Sequence, residues 1–444
     1  MRAPGDPILI AGHGGNVTLA YWGSSSAVHR QQYLDNAAAV GVRVIMEIDP
    51  ALIAAKDAAG IRNVVSTYND HPAVAGWYTA DEPYWVWGIP VSTLQIAYDA
   101  IKQESSKPVV ICFSEPGVER GAPVTYKTTY DQFFIDSYPF RSGELEFTYH
   151  RDWKGDMQRA HQQSLLADRP WWSVMEGWAD EGSETSGYRL PTYNEARFMD
   201  YYSLSEDPAG LIHFAYYRAG HSTPAHPEDP YPYDGRQWLE DVWEPITGQI
   251  NTLGPALQNG AFGSWAVSRN TPDVRTILYQ DPDTSKYYLV TLNETSGSET
   301  TTFSLSLDLL ELGEEWISAI PLFEGDLPAI PIINISNNRL FFDEFSDYEV
   351  HVYELKTMLL GDANGDGVVS ADDYGSVQLN FGDTGDPGLP GDANGTGAVS
   401  ADDYGSVQLN FGNTSGMGSM PVPEPGTLVL LGAGLVMLLS RRRK

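Results

Sequence analysis

The chain has 444 residues, 42% hydrophobic and 12% aromatic, enough for several packed domains and unlike a mainly disordered protein. Its 59 acidic against 27 basic residues leave a net charge of −32, which repels a phosphate backbone and excludes nucleic acid as a partner. The single cysteine, Cys112, cannot form an intramolecular disulfide, and its place in "VVICF" marks it as a small buried strand residue rather than a nucleophile.

The chain opens "MRAPGDPILIAGHGG", with no charged-then-apolar signal peptide. From about residue 17 to 217, the apolar runs "VTLAYW", "VRVIMEI", "VAGWYTA", "PVVICFSE", "QFFIDSYPF", "WWSVMEGW" and "LIHFAYYR" alternate with segments of helical period. "PILIAG" is a candidate eighth strand. Leu94, Ala97, Tyr98 and Ile101 fall on one helix face, as do Ile61, Val64, Val65 and Tyr68. Apolar strands alternating with amphipathic helices, closed by a helical segment from Gly235 to Leu257, predict a (β/α)8 barrel over residues 1–258. An open doubly wound sheet is the alternative. If "VTLAYW" is strand 2, strand 1 is missing, as a truncated start would leave it.

Barrel chemistry sits at the C-terminal ends of the strands. The acids there are Glu47, Asp81, Glu82, Glu115, Asp136 and Glu176. In "AGWYTADEPYW" the pair Asp81-Glu82 ends an aromatic strand, and Trp77 and Trp85 beside Glu82 are expected to raise its proton affinity by burial. Trp22, Trp85, Trp87 and Trp178 fall at strand ends or in loops, where rings stack on sugars. Asp136 and Glu115 read as supporting or ion-pairing residues, Glu47 as an interior charge and His213 as a core histidine. No spacing indicates a catalytic metal.

Residues 261–356 alternate apolar and polar positions without helical stretches, which predicts an all-β sandwich. Residues 361–382 then recur at 391–412, with "SADDYGSVQLNFG" identical in both copies. Each copy spaces oxygen ligands as an EF-hand calcium loop does, with glycine at the sharp turn. The ligands are Asp362, Asn364, Asp366, the Val368 carbonyl, Ser370 and Asp373, then Asp392, Asn394, Thr396, the Ala398 carbonyl, Ser400 and Asp403. Thr396 removes one carboxylate, so the second site is expected to hold Ca2+ more weakly. Residues 413–444 comprise a linker, "VPEP", an apolar segment from Gly426 to Leu439, and the cluster Arg441-Arg442-Arg443-Lys444. They are expected to form a C-terminal transmembrane helix whose basic end stays cytoplasmic.

These residues carry three resemblances. With "VTLAYW" as strand 2, Glu82 ends strand 4 and Glu176 ends strand 7. In that placement the chain resembles the glycoside hydrolase clan whose acid/base follows strand 4 and whose nucleophile follows strand 7. The resemblance implies a TIM barrel cleaving a polysaccharide or oligosaccharide with retention, Glu82 as proton donor, Glu176 as nucleophile and no cofactor for catalysis. It also implies that Tyr138 hydrogen-bonds Glu176, and that Asp81, where the clan has asparagine, contacts the sugar. The repeat pair resembles the dockerin type I module, a small α-helical, calcium-binding unit, which implies a cohesin domain as partner; a calcium-stiffened spacer is the alternative. The tail resembles the PEP-CTERM sorting signal, which implies export to the bacterial envelope and processing by an exosortase. The expected protein is an exported, surface-anchored glycoside hydrolase, the alternative a non-catalytic glycan-binding or structural surface protein.

Overall fold

The computed structural model describes residues 6–21, 26–84, 86–140, 152–177, 188–214, 235–261, 267–305, 314–325, 327, 329–335 and 338–414. Within it, β1 (Val17–Ala20), β2 (Arg43–Glu47), β3 (Val74–Asp81), β4 (Val109–Ser114), β5 (Gln132–Asp136), β6 (Trp171–Glu176) and β7 (Gly210–Phe214) pair in chain order into one parallel seven-stranded sheet. Helices join successive strands, and the sheet curls into a nearly closed barrel. Parallel strands buried on both faces explain the unbroken apolar runs.

The inner face carries Ile45, Tyr78, Val110, Cys112, Phe134 and Val174. The outer face meets the helices: the Trp77 indole, fully buried, donates to Ser105 Oγ at 3.0 Å, at the end of the helix Val91–Glu104. Trp77 therefore points away from the strand-end acids, contrary to its expected place beside Glu82. Leu94, Ala97 and Ile101 of that helix are buried, as are Ile61, Val65 and Tyr68 of Ala58–Tyr68. Asp57 caps the latter by accepting from the Gly60 amide, and Thr192 and Glu195 form a capping box on Tyr193–Leu204.

The candidate strand "PILIAG" is instead the helix Asp6–Gly12. Pro7 lacks the amide a sheet interior needs but suits a first helical turn. Pro7 and Ile10 are buried while Ile8 and Leu9 are exposed, a helical and not an alternating spacing. After β7, Gly235–Trp238 leads through a π-turn, Leu239–Trp243, into the helix Glu244–Asn259.

The β region forms two antiparallel sheets. One has the order β13 (Ile330–Pro331), β12 (Glu314–Leu322), β16 (Val350–Leu359), β10 (Tyr287–Asn293), β9 (Val274–Gln280). The other has the order β14 (Ile333–Ile335), β15 (Asn338–Phe345), β11 (Glu299–Leu305), β8 (Val267–Arg269). The chain divides into two compact units, each drawn from several stretches. The first takes in the barrel with Thr271–Thr301 and Glu344–Val352; the second takes Gly263–Asn270, Thr302–Asp343 and the chain from Tyr353 onward.

Within the first unit, barrel helices grip the strands directly. Arg275 on β9 ion-pairs with Glu206 at 2.6 Å and Glu294 at 2.7 Å, and its guanidinium lies 4.5 Å from the Tyr202 ring centre. The Arg197 guanidinium donates to the Val350 carbonyl at 2.9 Å. Arg275→Met leaves two carboxylates without their cation and is expected to cost about 2 kcal/mol, read as a lowered Tm.

In the second unit the repeats fold as two loop-helix halves, with helices Ala371–Leu379 and Ala401–Asn410. They share a core of Leu359, Ala363, Val369, Val377, Ala393, Val399 and Val407. The Gly361 amide donates to Ala393 and the Gly391 amide to Ala363, both at 2.8 Å, so the halves clasp each other reciprocally. The second loop also packs on β12: a β-carbon on Gly395 would lie 2.6 Å from the Ile317 side chain, whereas its counterpart Gly365 has open space. No described helix is long and apolar enough to cross a membrane. The expected transmembrane segment lies outside the described residues.

Candidate active site

A register shift on β3 decides which acid faces inward. Tyr78 pairs with Val110 and Ala80 with Ile111, so Thr79 is an extra residue and Asp81 lands opposite Cys112. In an unbulged strand Tyr78, Ala80 and residue 82 share a face. The bulge puts Asp81 on the inner face with Tyr78, whose hydroxyl donates to Asp81 Oδ1 at 2.7 Å.

Glu82 follows the strand with φ +41°, a left-handed backbone unusual for glutamate. Its amide donates to the Cys112 carbonyl at 3.0 Å, and its carbonyl accepts from the Val86 amide at 3.2 Å. From β5, Asp136 arrives on the same side. One donor atom each from Asp81, Cys112 and Asp136 lie within 4.8 Å of one another. Asp81 is exposed, Asp136 half-buried and Cys112 buried, and Glu82 is half-buried.

Asp81 and Asp136 this close, with the Glu82 charge acting beside them, cannot all ionise freely. Loss of hydration pushes Asp136 well above the usual carboxylate range, and the charges of Glu82 and Asp81 push it further. A hydrogen bond from the Cys112 thiol acts in the opposite direction. Glu82 is raised by burial and by the Asp81 charge, against a hydrogen bond from Asp136. Asp81 is raised by lost hydration, and the Tyr78 hydroxyl counters by favouring its ionised form. Burial and the neighbouring acids also push the Cys112 thiol up, so it stays protonated.

A cavity of about 1170 Å3 is lined by Asp81, Cys112 and Asp136, by the interior residues Phe134, Trp172 and Val174, and by the edge strands β1 and β7. Tyr138 lines it too, stacked on Phe214 with ring centres 5.8 Å apart.

Of the acids singled out in the sequence, the structure brings Asp81, Glu82 and Asp136 together. Asp136, expected to play a supporting part, is central: with Phe134 facing the interior, the alternation of β5 turns Asp136 the same way. Glu176 ends β6 with 0% exposure and is not among the cavity-lining residues. Its Oε2 accepts from the Phe140 amide at 2.9 Å. The Phe140 ring lies 4.8 Å from the Arg189 guanidinium, itself paired with Glu195 at 2.6 Å. Glu176 thereby fastens the segment after β5. Glu47 ends β2, and Glu115 opens the short helix Glu115–Glu119. His213 is a packed side chain as expected: its Nδ1 accepts from the Trp243 indole at 3.0 Å, and its Nε2 lies 3.1 Å from Asp200. Trp87 is 69% exposed. Trp22, Trp85 and Trp178 lie outside the described residues.

Comparison with known proteins agrees with this architecture. A structure titled only as a glycoside hydrolase superposes with TM-score 0.52 at 12% identity, covering 80% of this chain and 89% of its own. A family 5 glycoside hydrolase from Bacteroides vulgatus gives TM-score 0.52 at 13% identity over 79% and 84% of the two chains. A family 27 β-L-arabinopyranosidase from Geobacillus stearothermophilus gives 0.51 at 11% over 79% and 91%. At such identities the likeness establishes the fold, a TIM-type barrel with a β region. Residues 421–444 match the PEP-CTERM protein-sorting motif, which supports export and sorting to the cell surface. No curated protein matches the sequence.

Proposed function

We propose that the protein is a surface-sorted glycoside hydrolase whose reacting carboxyls are Asp136 and Asp81, with the Glu82 charge raising the proton affinity of Asp136. The carrying observation is the meeting of Asp81 and Asp136 within 4.8 Å in the cavity. Asp136, kept protonated, gives its proton to the glycosidic oxygen as the carbon–oxygen bond breaks. Asp81, whose ionised form the Tyr78 hydroxyl favours, attacks the anomeric carbon and forms a glycosyl ester. Water then attacks that ester, with the Asp136 carboxylate taking its proton. Carboxyls about 5 Å apart fit retention, whereas inversion needs about 6.5–9.5 Å for an intervening water. Screening the full chain on polysaccharides and aryl glycosides tests the reading, with the anomer of the first-formed product followed by NMR. Binding without turnover would sink it in favour of a non-catalytic glycan binder.

A second reading keeps Glu176 as the nucleophile, favoured by its place at the C-terminal end of β6. Glu176→Gln separates the two: an amide oxygen still accepts from Phe140, so loss of activity with the fold retained selects Glu176.

For the repeats we propose calcium in both loops, as in a dockerin module, with a cohesin as candidate partner. The all-oxygen donor set suits a hard cation. Asp362 already gathers the amides of Gly365, Asp366 and Gly367 at 2.7–3.1 Å, and Asp392 those of Thr396 and Gly397 at 2.8–3.0 Å. Adding EGTA is expected to lower the Tm of the second unit, with the Thr396 loop releasing calcium first in a titration. We further propose anchoring through the C-terminal segment before exosortase processing.

A further inference from the structure

Behind the end of β5, where Asp136 sits, lies a buried polar network. Ser137 is 2% exposed, and its hydroxyl donates to Asp156 Oδ2 at 2.9 Å. Asp156, equally buried, stands in the first turn of the helix Trp153–Ala167. Its Oδ1 accepts from Arg159 at 2.5 Å, and Arg159 reaches outward to Asp152 at 3.3 Å and Glu119 at 3.6 Å. Both oxygens of the Asp156 carboxylate are thus engaged, in charge-assisted bonds of the stronger kind.

Strand alternation turns this network into a constraint on the cavity. Asp136 and Tyr138 line the cavity, while Ser137 between them faces the helix layer. One outward bond therefore fixes two inward side chains. The far end of the segment is held separately, by the Phe140 amide donating to Glu176 at 2.9 Å. We infer that Asp156 is a positioning residue for the proposed hydrolysis: by holding Ser137 outward it aims Asp136 and Tyr138 into the cavity. Arg159 fixes the carboxylate in turn, so the aim of an interior acid is set from the helix layer.

The inference rests on the glycosidase reading, and its test lets the two fail separately. Ser137→Ala, Asp156→Ala and Asp156→Asn are compared with the parent, in the full chain, on aryl glycosides with poor and with activated leaving groups. An activated leaving group departs without protonation, so a misdirected acid shows on the poor one. Ser137→Ala and Asp156→Ala are expected to lose about tenfold in kcat on the poor leaving group and much less on the activated one. Asp156→Asn still offers Ser137 a hydrogen-bonding partner but gives up the ion pair with Arg159. It is expected to lose Tm as Asp156→Ala does while keeping more of kcat, a separation that a merely structural role does not produce. A kcat that falls in step with Tm across the three variants, or equally on both leaving groups, would overturn the inference. The 13C-carboxyl titration of Asp136, assigned by its loss in Asp136→Asn, reads the aim of this side chain without turnover. Around it stand Asp81 and Glu82 from β3, Cys112 from β4, Tyr138 beyond β5 and Tyr21 beyond β1, with Glu176 at the end of β6. Turned from this setting into water, Asp136 gives up its proton more readily, so Ser137→Ala and Asp156→Ala bring its titration down toward the ordinary carboxylate range. If no glycoside is cleaved, the proposed function fails, while the lowered titration still upholds the positioning and an unmoved one refutes it.

Discussion

Asp81→Asn is expected to lower kcat roughly 10⁴-fold while leaving the protein folded. The substitution is nearly isosteric, and its amide oxygen still accepts from the Tyr78 hydroxyl, so the cavity wall survives. The nucleophile does not: an amide carries no charge to meet the anomeric carbon. If Asp81 merely contacted the sugar, KM would rise and kcat would hold. The split between kcat and KM therefore distinguishes the proposed role from the one the sequence resemblance implied. Unchanged kcat would return the assignment to Glu176.

Asp136→Asn is expected to cost about 10²–10⁴-fold on unactivated glycosides and much less on activated ones, the signature of a lost general acid. It also removes the alkaline limb of the pH profile. Asp136 must be protonated to act, and its raised affinity extends the active range upward; Asp81 must be ionised, which sets the acid limb. The same raised affinity bears on stability. A carboxyl that binds its proton more tightly folded than unfolded contributes most below its unfolded value and loses that contribution as pH rises through the folded one. Asp136→Asn should therefore gain in Tm relative to the parent as pH increases, trading activity for stability. An inactive variant that also melts lower at every pH would mark Asp136 as structural.

The barrel was legible because strand and helix periods are local: Ile61, Val65 and Tyr68, or Leu94, Ala97 and Ile101, announce a face without knowledge of the partner. "PILIAG" misled because a short apolar run does not reveal its period, although Pro7 was the clue. The acids were legible as a set, since strand ends can be counted, but their roles were not. Asp136 stood out only once Phe134 was known to face inward. Asp81 reads in sequence as the odd neighbour of a catalytic Glu82, because an inserted strand residue leaves no mark on hydrophobic spacing when its neighbours are Tyr78 and Ala80. Trp77 misleads for a related reason, an aromatic strand buried on both sides giving no sign of which ring meets which layer.

Thr79 matters as an act of counting rather than of chemistry. In the pair Asp81-Glu82, one acid faces the barrel axis only because the strand before it is one residue out of phase with its neighbour. Deleting Thr79 would remove the extra residue and leave Asp81 opposite Cys112 on the inner face, whereas straightening the strand at its present length would turn Glu82 inward in its place. A catalytic identity that rests on phase can be rewritten by one codon gained before the pair, a route to new glycosidic geometry that no point substitution at residues 81 or 82 retraces.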